Sequence, residues 1–222
     1  MKLTWLGHAC FLAEQEGYRI LLDPYTGVAG YPPLAETAAR ALEGKGPISP
    51  DGKAGLRVHK ILCSHGHFDH CAVDQAEVVP FDGACPFAIR TVATFHDHQG
   101  GALRGENTVH ILSAGGVTLA HLGDLGHRLS EEQLAAIGPL DAALVPVGGT
   151  YTLDAREAKA VCEALRPRCV IPMHYRHGPY GLPEVAGVED FLALWPQARR
   201  LEGPSLELGG EGVIVPKFCE ET

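Results

Sequence analysis

The sequence predicts an α/β protein with two β-sheets and helices on their outer faces, and three observations carry that expectation. Short, β-favouring apolar segments follow one another through the N-terminal third. The second half alternates apolar runs with segments that begin on helix-capping residues. Apolar residues form 45% of the 222, enough for a sizeable core, and no linker divides the chain, so one domain over residues 1–222 is expected.

The expected elements run in order. Lys2 to Leu6, Cys10 to Glu14 and Tyr18 to Leu22 alternate as strands, with Glu16-Gly17 as a hairpin turn. Asp23-Pro24 stops the third strand, because proline cannot donate to the ladder. The Gly- and Pro-rich stretch from Pro24 to Leu56 has helical character only over Leu34 to Leu42, and is expected to form a flap near the site. Val58 to Cys63 and Ala84 to Phe95 are further strands, and Asn107 to Leu112 with Val117 to Leu122 form a hairpin around Ala114-Gly115-Gly116. Ser130-Glu131-Glu132-Gln133 is a capping-box start for a helix through Ile137, and Asp154-Ala155-Arg156-Glu157 caps a second helix that Pro167 stops. Asp141 to Val147 and Cys169 to Met173 are buried strands, Val188 to Trp195 is a last helix, and Ala198 to Glu202 with Gly212 to Val215 are edge strands.

Charge and cysteine content narrow the function. With 18 Lys and Arg against 27 Asp and Glu, the net charge is -9 and no basic run exists. Nucleic acid is therefore an unsuitable partner, since its affinity rests largely on neutralised phosphates. The 7 cysteines are scattered without a Cys-x-x-Cys pair, which speaks against a disulfide framework and for a reducing, cytoplasmic setting. No signal-peptide pattern opens the chain, and no run approaches the roughly 18 apolar residues of a membrane span.

The chemistry is concentrated in Ser64-His65-Gly66-His67-Phe68-Asp69-His70, behind the apolar Ile61-Leu62. Imidazoles and a carboxylate are donors that Zn2+ accepts and other divalent transition metals tolerate. His65 and His67, two apart at a strand end, face one side and can grip one ion. Asp69 and His70 follow where a helix is expected to begin, and they suit a second ion. Other strands end on residues of the same kind: Phe95 before His96, Gly123 before Asp124 and Met173 before His174. Between His96 and His98 the residue pattern does not choose.

These motifs, with Trp5-Leu6-Gly7-His8-Ala9, Leu22-Asp23-Pro24, His121-Leu122-Gly123-Asp124-Leu125-Gly126-His127, Pro146-Val147-Gly148-Gly149-Thr150-Tyr151 and Ile171-Pro172-Met173-His174-Tyr175, resemble the metallo-β-lactamase superfamily over nearly the whole chain. The likeness is to its branch of Zn-dependent hydrolases, whose relatives include ascorbate-6-phosphate lactonase and N-acyl-phosphatidylethanolamine phospholipase D. The resemblance implies an αββα sandwich with the site along one rim of the sheets. It implies one ion on His65, His67 and His96, a second on Asp69, His70 and His174, and Asp124 bridging them. Asp23 would support the ligand loop without touching metal.

The expected activity is hydrolysis of a small-molecule ester, lactone, amide or phosphodiester by a hydroxide bridging two divalent ions, zinc first and Mn or Fe after it. Asp69 would orient that hydroxide and take its proton. His8 is a candidate proton donor or substrate contact, and Tyr151 and Arg104 are candidate substrate contacts. His59, His110, His121, His127 and His177 are expected in structural or surface roles, and Cys71 as a buried inert thiol. A di-iron oxidoreductase and a non-catalytic, metal-stabilised binding protein are the alternatives. Self-association is open.

Overall fold

The protein's structure, a computed structural model, describes residues 1–43 and 55–220. Strands β1 (Lys2–Trp5), β2 (Phe11–Gln15) and β3 (Tyr18–Leu22) form an antiparallel meander. Glu16 and Gly17 turn it at φ 51° and 80°, the pair of positive values that a two-residue type I′ hairpin needs. Helix α1 (Leu34–Ala41) follows, and the part of the expected flap between residues 44 and 54 lies outside the described residues.

The expected strand from Val58 to Cys63 is two strands in different sheets. β4 (Leu56–Val58) and β5 (Lys60–Leu62) are separated at His59, whose Nδ1 accepts the Arg19 N–H and whose own N–H donates to the Arg19 carbonyl. β4 pairs in parallel with β6 (Ala76–Val78), which sequence reasoning did not foresee. β5 joins the first sheet beside β3.

β7 (Ala88–Phe95), β8 (Glu106–Ala114) and β9 (Val117–His121) are antiparallel neighbours. Helix α2 (Glu131–Ile137), strand β10 (Ala142–Pro146), helix α3 (Ala155–Leu165) and strand β11 (Cys169–Met173) come next. Both helices open on the expected capping boxes, on Ser130 and Asp154. The last helix is one turn, α4 (Glu189–Leu192), before β12 (Arg199–Arg200), β13 (Ser205–Glu207) and β14 (Gly212–Val215).

One sheet has the order β13-β1-β2-β3-β5 and the other β12-β14-β11-β10-β9-β8-β7. Two expectations change here. β14 lies inside its sheet, between β11 and β12, and the unforeseen β13 closes the edge beside β1. The architecture is the expected sandwich of two mixed sheets. Period-two alternation explains its layers. Phe11, Ala13, Ile20 and Leu22 face the second sheet, where they meet Val109, Ile111, Leu144 and Ile171 in one core. Their neighbours Leu12 and Leu21 face outward beneath α1, with Tyr25, Leu34 and Ala38. Among the described residues no helix is long and apolar enough to cross a membrane.

Candidate metal centre

The ligand loop after β5 folds as consecutive turns rather than as a strand leading into a helix. His70 and Cys71 both donate their N–H to the His67 carbonyl, at 3.0 and 2.9 Å, and one such turn precedes a short 3-10 helix at Val73–Gln75. What holds the loop is Asp23, buried at the end of β3. Its carboxylate accepts the Ser64 N–H at 2.7 Å, the Ser64 hydroxyl at 2.6 Å and His70 Nδ1–H at 2.7 Å. With its proton given to Asp23, Ser64 Oγ accepts from His65 Nδ1–H at 2.9 Å. The network thus fixes the tautomer of both imidazoles and turns each Nε2 lone pair away from the loop.

Those lone pairs converge on Asp124. Its Oδ2 is 3.0 Å from His96 Nε2, 3.3 Å from His174 Nε2 and 3.9 Å from His65 Nε2, and its Oδ1 is 3.2 Å from His70 Nε2. Yet Asp124 Oδ1 and the Nε2 atoms of His65, His70 and His174 are buried without a hydrogen-bond partner. Buried polar atoms this close that do not bond one another are aimed at shared points instead, as donors to a cation are. Donor atoms of His65, His67 and His96 lie within 4.8 Å of one another, as do those of His65, His70 and Asp124 and those of His8, Asp69, His70 and His174. The residues present therefore fit divalent metal.

Charge supports the same reading. Burial would raise the Asp124 pKa, but the imidazoles of His174 and His70 outweigh it and hold the carboxyl well below its usual range. Burial disfavours a charged His70, but the Asp124 and Asp23 carboxylates prevail and raise its pKa well above the ordinary value, so that without an ion a proton on Nε2 faces Asp124 in the place a cation would take. His65, desolvated and facing His70, is lowered to about 3 and so offers a free lone pair.

The donors stand at strand ends because the chain turns sharply there. Asp23 follows β3 at φ 46° and His174 follows β11 at φ 54°, both in the left-handed region that side chains rarely adopt. Gly123, at φ 56°, turns β9 into Asp124, and a Cβ there would strike Ser64 Cβ and Asn107 Oδ1. Asn107 Oδ1 accepts the Asp124 N–H at 2.9 Å, while its Nδ2 donates to Thr94 Oγ1 at 2.7 Å and to the Leu122 carbonyl at 2.9 Å. Sequence reasoning missed Asn107 as a positioning residue, because its place opposite Thr94 exists only in the β7–β8 register.

His96, not His98, enters the cluster: His96 is buried and His98 is exposed. Asp97 between them accepts the N–H groups of Gln99, Gly101, Leu103 and Arg104, which folds the following loop away with His98. Arg104 donates to the Thr150 carbonyl at 3.0 Å and lies over the Tyr151 ring at 5.6 Å, so the two candidate substrate contacts brace each other. His8 is fully buried beside Asp69, with Nε2 3.3 Å from Asp69 Oδ2, and does not face solvent. Burial is the main reason that His8 is lowered to about 4. His121 joins two site turns, donating through Nε2 to the Ala9 carbonyl and accepting the Gly123 N–H at Nδ1. His59 and His127 accept backbone N–H groups, His110 bonds the Cys63 carbonyl, and His177 bonds Tyr31 Oη. Cys71, expected buried, is half-buried beside Cys63.

A family profile described as a beta-lactamase superfamily domain matches residues 2–174, ending on His174, so that every candidate ligand lies within it. The chain belongs to the metallo-β-lactamase superfamily. A UPF0173 metal-dependent hydrolase of Carboxydothermus hydrogenoformans is 34% identical, over 86% of this chain and 91% of its own. Another of that name from Pyrobaculum neutrophilum is 29% identical, over 81% and 86%. A solved structure from Thermotoga maritima, assigned to the metallo-beta-lactamase superfamily, is 33% identical, covers 97% of each chain and superposes with a TM-score of 0.70. The two-sheet architecture is thus shared with a member of the superfamily.

Proposed function

We propose that this metal-dependent hydrolase holds two divalent ions, zinc foremost, and cleaves a small-molecule ester, lactone, amide or phosphodiester in the cytoplasm. His65, His67 and His96 would hold one ion and Asp69, His70 and His174 the other, with Asp124 shared. The observation that carries this reading is Asp124, a buried carboxylate facing four imidazole nitrogens within 3.9 Å while its Oδ1 makes no hydrogen bond. Ions so held would lower the pKa of coordinated water from 15.7 to about 7 and would polarise a carbonyl or phosphoryl oxygen.

The chain's own residues do the rest. Asp23 keeps His65 and His70 in the tautomers that present Nε2. Asp69 Oδ2 faces His8 and His70, which leaves Oδ1 to take the proton of the attacking water. His67 and Phe68 are exposed, so substrate approaches from their side. Arg104, braced by the Thr150 carbonyl and the Tyr151 ring, offers a cation to an anionic substrate. The cytoplasmic setting agrees with 7 cysteines that are all free thiols.

Purified protein should carry about two equivalents of metal per chain, and His67→Ala and Asp124→Ala should lower turnover of ester, lactone and phosphodiester substrates at least ~100-fold without changing the far-UV spectrum. Full activity in metal-free protein would sink the reading.

A further inference from the structure

The turn Gly7-His8-Ala9 delivers an imidazole that the ligand sets above do not use. His8 stands at φ 52°, a conformation that strains a residue with a side chain and persists where the surroundings enforce it. The surroundings do so from three directions. Its N–H donates to Tyr31 Oη at 2.9 Å, and its carbonyl accepts the Trp5 indole N–H at 3.1 Å and the His174 N–H at 3.3 Å. The ring is thereby held 4.1 Å from that of His174 and 5.3 Å from that of His70, centroid to centroid.

The hydrogen bonds that Asp23 accepts are 2.6–2.7 Å long. The candidate ligands around Asp124 are 3.0–3.9 Å from it. Donors bound at about 2.0–2.2 Å to one ion lie about 3.0–3.6 Å apart, a range that the distances to His70, His96 and His174 meet and the 3.9 Å to His65 exceeds. His8 Nε2, 3.3 Å from Asp69 Oδ2, falls in that same range, close enough to hydrogen-bond the carboxylate when no ion lies between them. Its donor atom also falls within 4.8 Å of those of Asp69, His70 and His174, and its Nδ1 lacks a partner, as do the Nδ1 atoms of His96 and His174.

We propose that His8, through Nε2, is a further ligand of the ion held by Asp69, His70 and His174. The inference rests on the two-ion reading above and gives the ions different tasks. Every donor of the His8 set is buried, whereas the other set includes the exposed His67. A site closed by protein donors is structural in character, and a site with an open side is where substrate meets metal. The inner ion ties the turns after β1 and β11 to the ligand loop, and the outer ion carries the exchangeable position.

Cobalt-loaded protein tests this by chelator competition followed through its visible spectrum. Wild type should release cobalt in two steps. His8→Gln should weaken the tighter step by about 10 to 100-fold and shift the band of that site, and His67→Gln should weaken the other step. A His8→Gln protein with both affinities and the spectrum unchanged overturns the proposal. Wild type that binds a single ion overturns the two-ion reading instead, and His8 is then judged by its effect on that ion. A measurement on wild type avoids any folding defect of the variant. In 113Cd-loaded protein labelled with 15N at histidine, cadmium coupling should appear on an imidazole beyond those of His65, His67, His70, His96 and His174, and its absence overturns the proposal.

Discussion

Asp23 shows how much of the centre one side chain can set. It binds no candidate donor atom of the site, yet it fixes His70 directly and His65 through Ser64. Burial would raise its pKa, but the imidazoles of His121 and His70 and the Ser64 hydroxyl hold it at about 2. Because the folded value lies below the unfolded one, the stabilisation is present above pH ~4 and is lost as pH falls toward ~2, and it amounts to roughly 2–3 kcal/mol. In metal-free protein, the stability advantage of wild type over Asp23→Asn in urea melts should therefore shrink by that amount across this window, and a constant difference would contradict the assignment. The same variant should bind metal about 10 to 100-fold more weakly by chelator competition. The donors of His65 to His70 were legible in the sequence because they are adjacent. Asn107 was not, because its amide acts on Asp124 across 17 residues, through a strand pairing that no local pattern encodes.

At the level of elements, what matters is where each strand stops. β3, β7 and β11 each end just before a residue of the centre, β9 ends three residues before one, and the turns that follow aim Asp23, His96, His174 and Asp124. Local chemistry made several boundaries readable: Cys169–Met173 and Tyr18–Leu22 fall where expected, and both capping boxes form. The expected strand from Val58 to Cys63 was misread because its apolar run is continuous while its hydrogen bonds divide at His59 between two sheets. The helix expected at Asp69 gives way to turns because Asp23 draws the Ser64 N–H and the His70 ring toward β3. Gly123 is the turn most exposed to substitution. Gly123→Ala adds a Cβ against Ser64 and Asn107 at a positive φ, so it should cost about 1–3 kcal/mol in denaturant melts and lower metal content. A variant with wild-type stability and metal content would show that the turn tolerates displacement.

Across the whole molecule, the centre joins the two layers. The ligand loop and Asp23 extend from the first sheet, and His96, Asp124 and His174 extend from the second. Metal gripped from both sides would stabilise the pairing of the sheets as well as the site. Chelation should therefore lower the unfolding free energy by about 3–4 kcal/mol when the free ion had been 100 to 1,000 times its Kd. Thermal melts with and without chelator read this directly, and an unchanged midpoint would mean that the sheets do not depend on the ions.

The sequence by itself determined the donor chemistry, the two-sheet α/β class and most strand positions. These follow from residue type, apolar period and capping pattern, which are local. The tertiary structure decided which donors meet: His96 over His98, His8 beside Asp69, and Asn107 beneath Asp124. The physical reason is that convergence depends on strand register, on the hand of each turn and on which lone pair a distant hydrogen bond leaves free. Those quantities exist only once the sheets are paired.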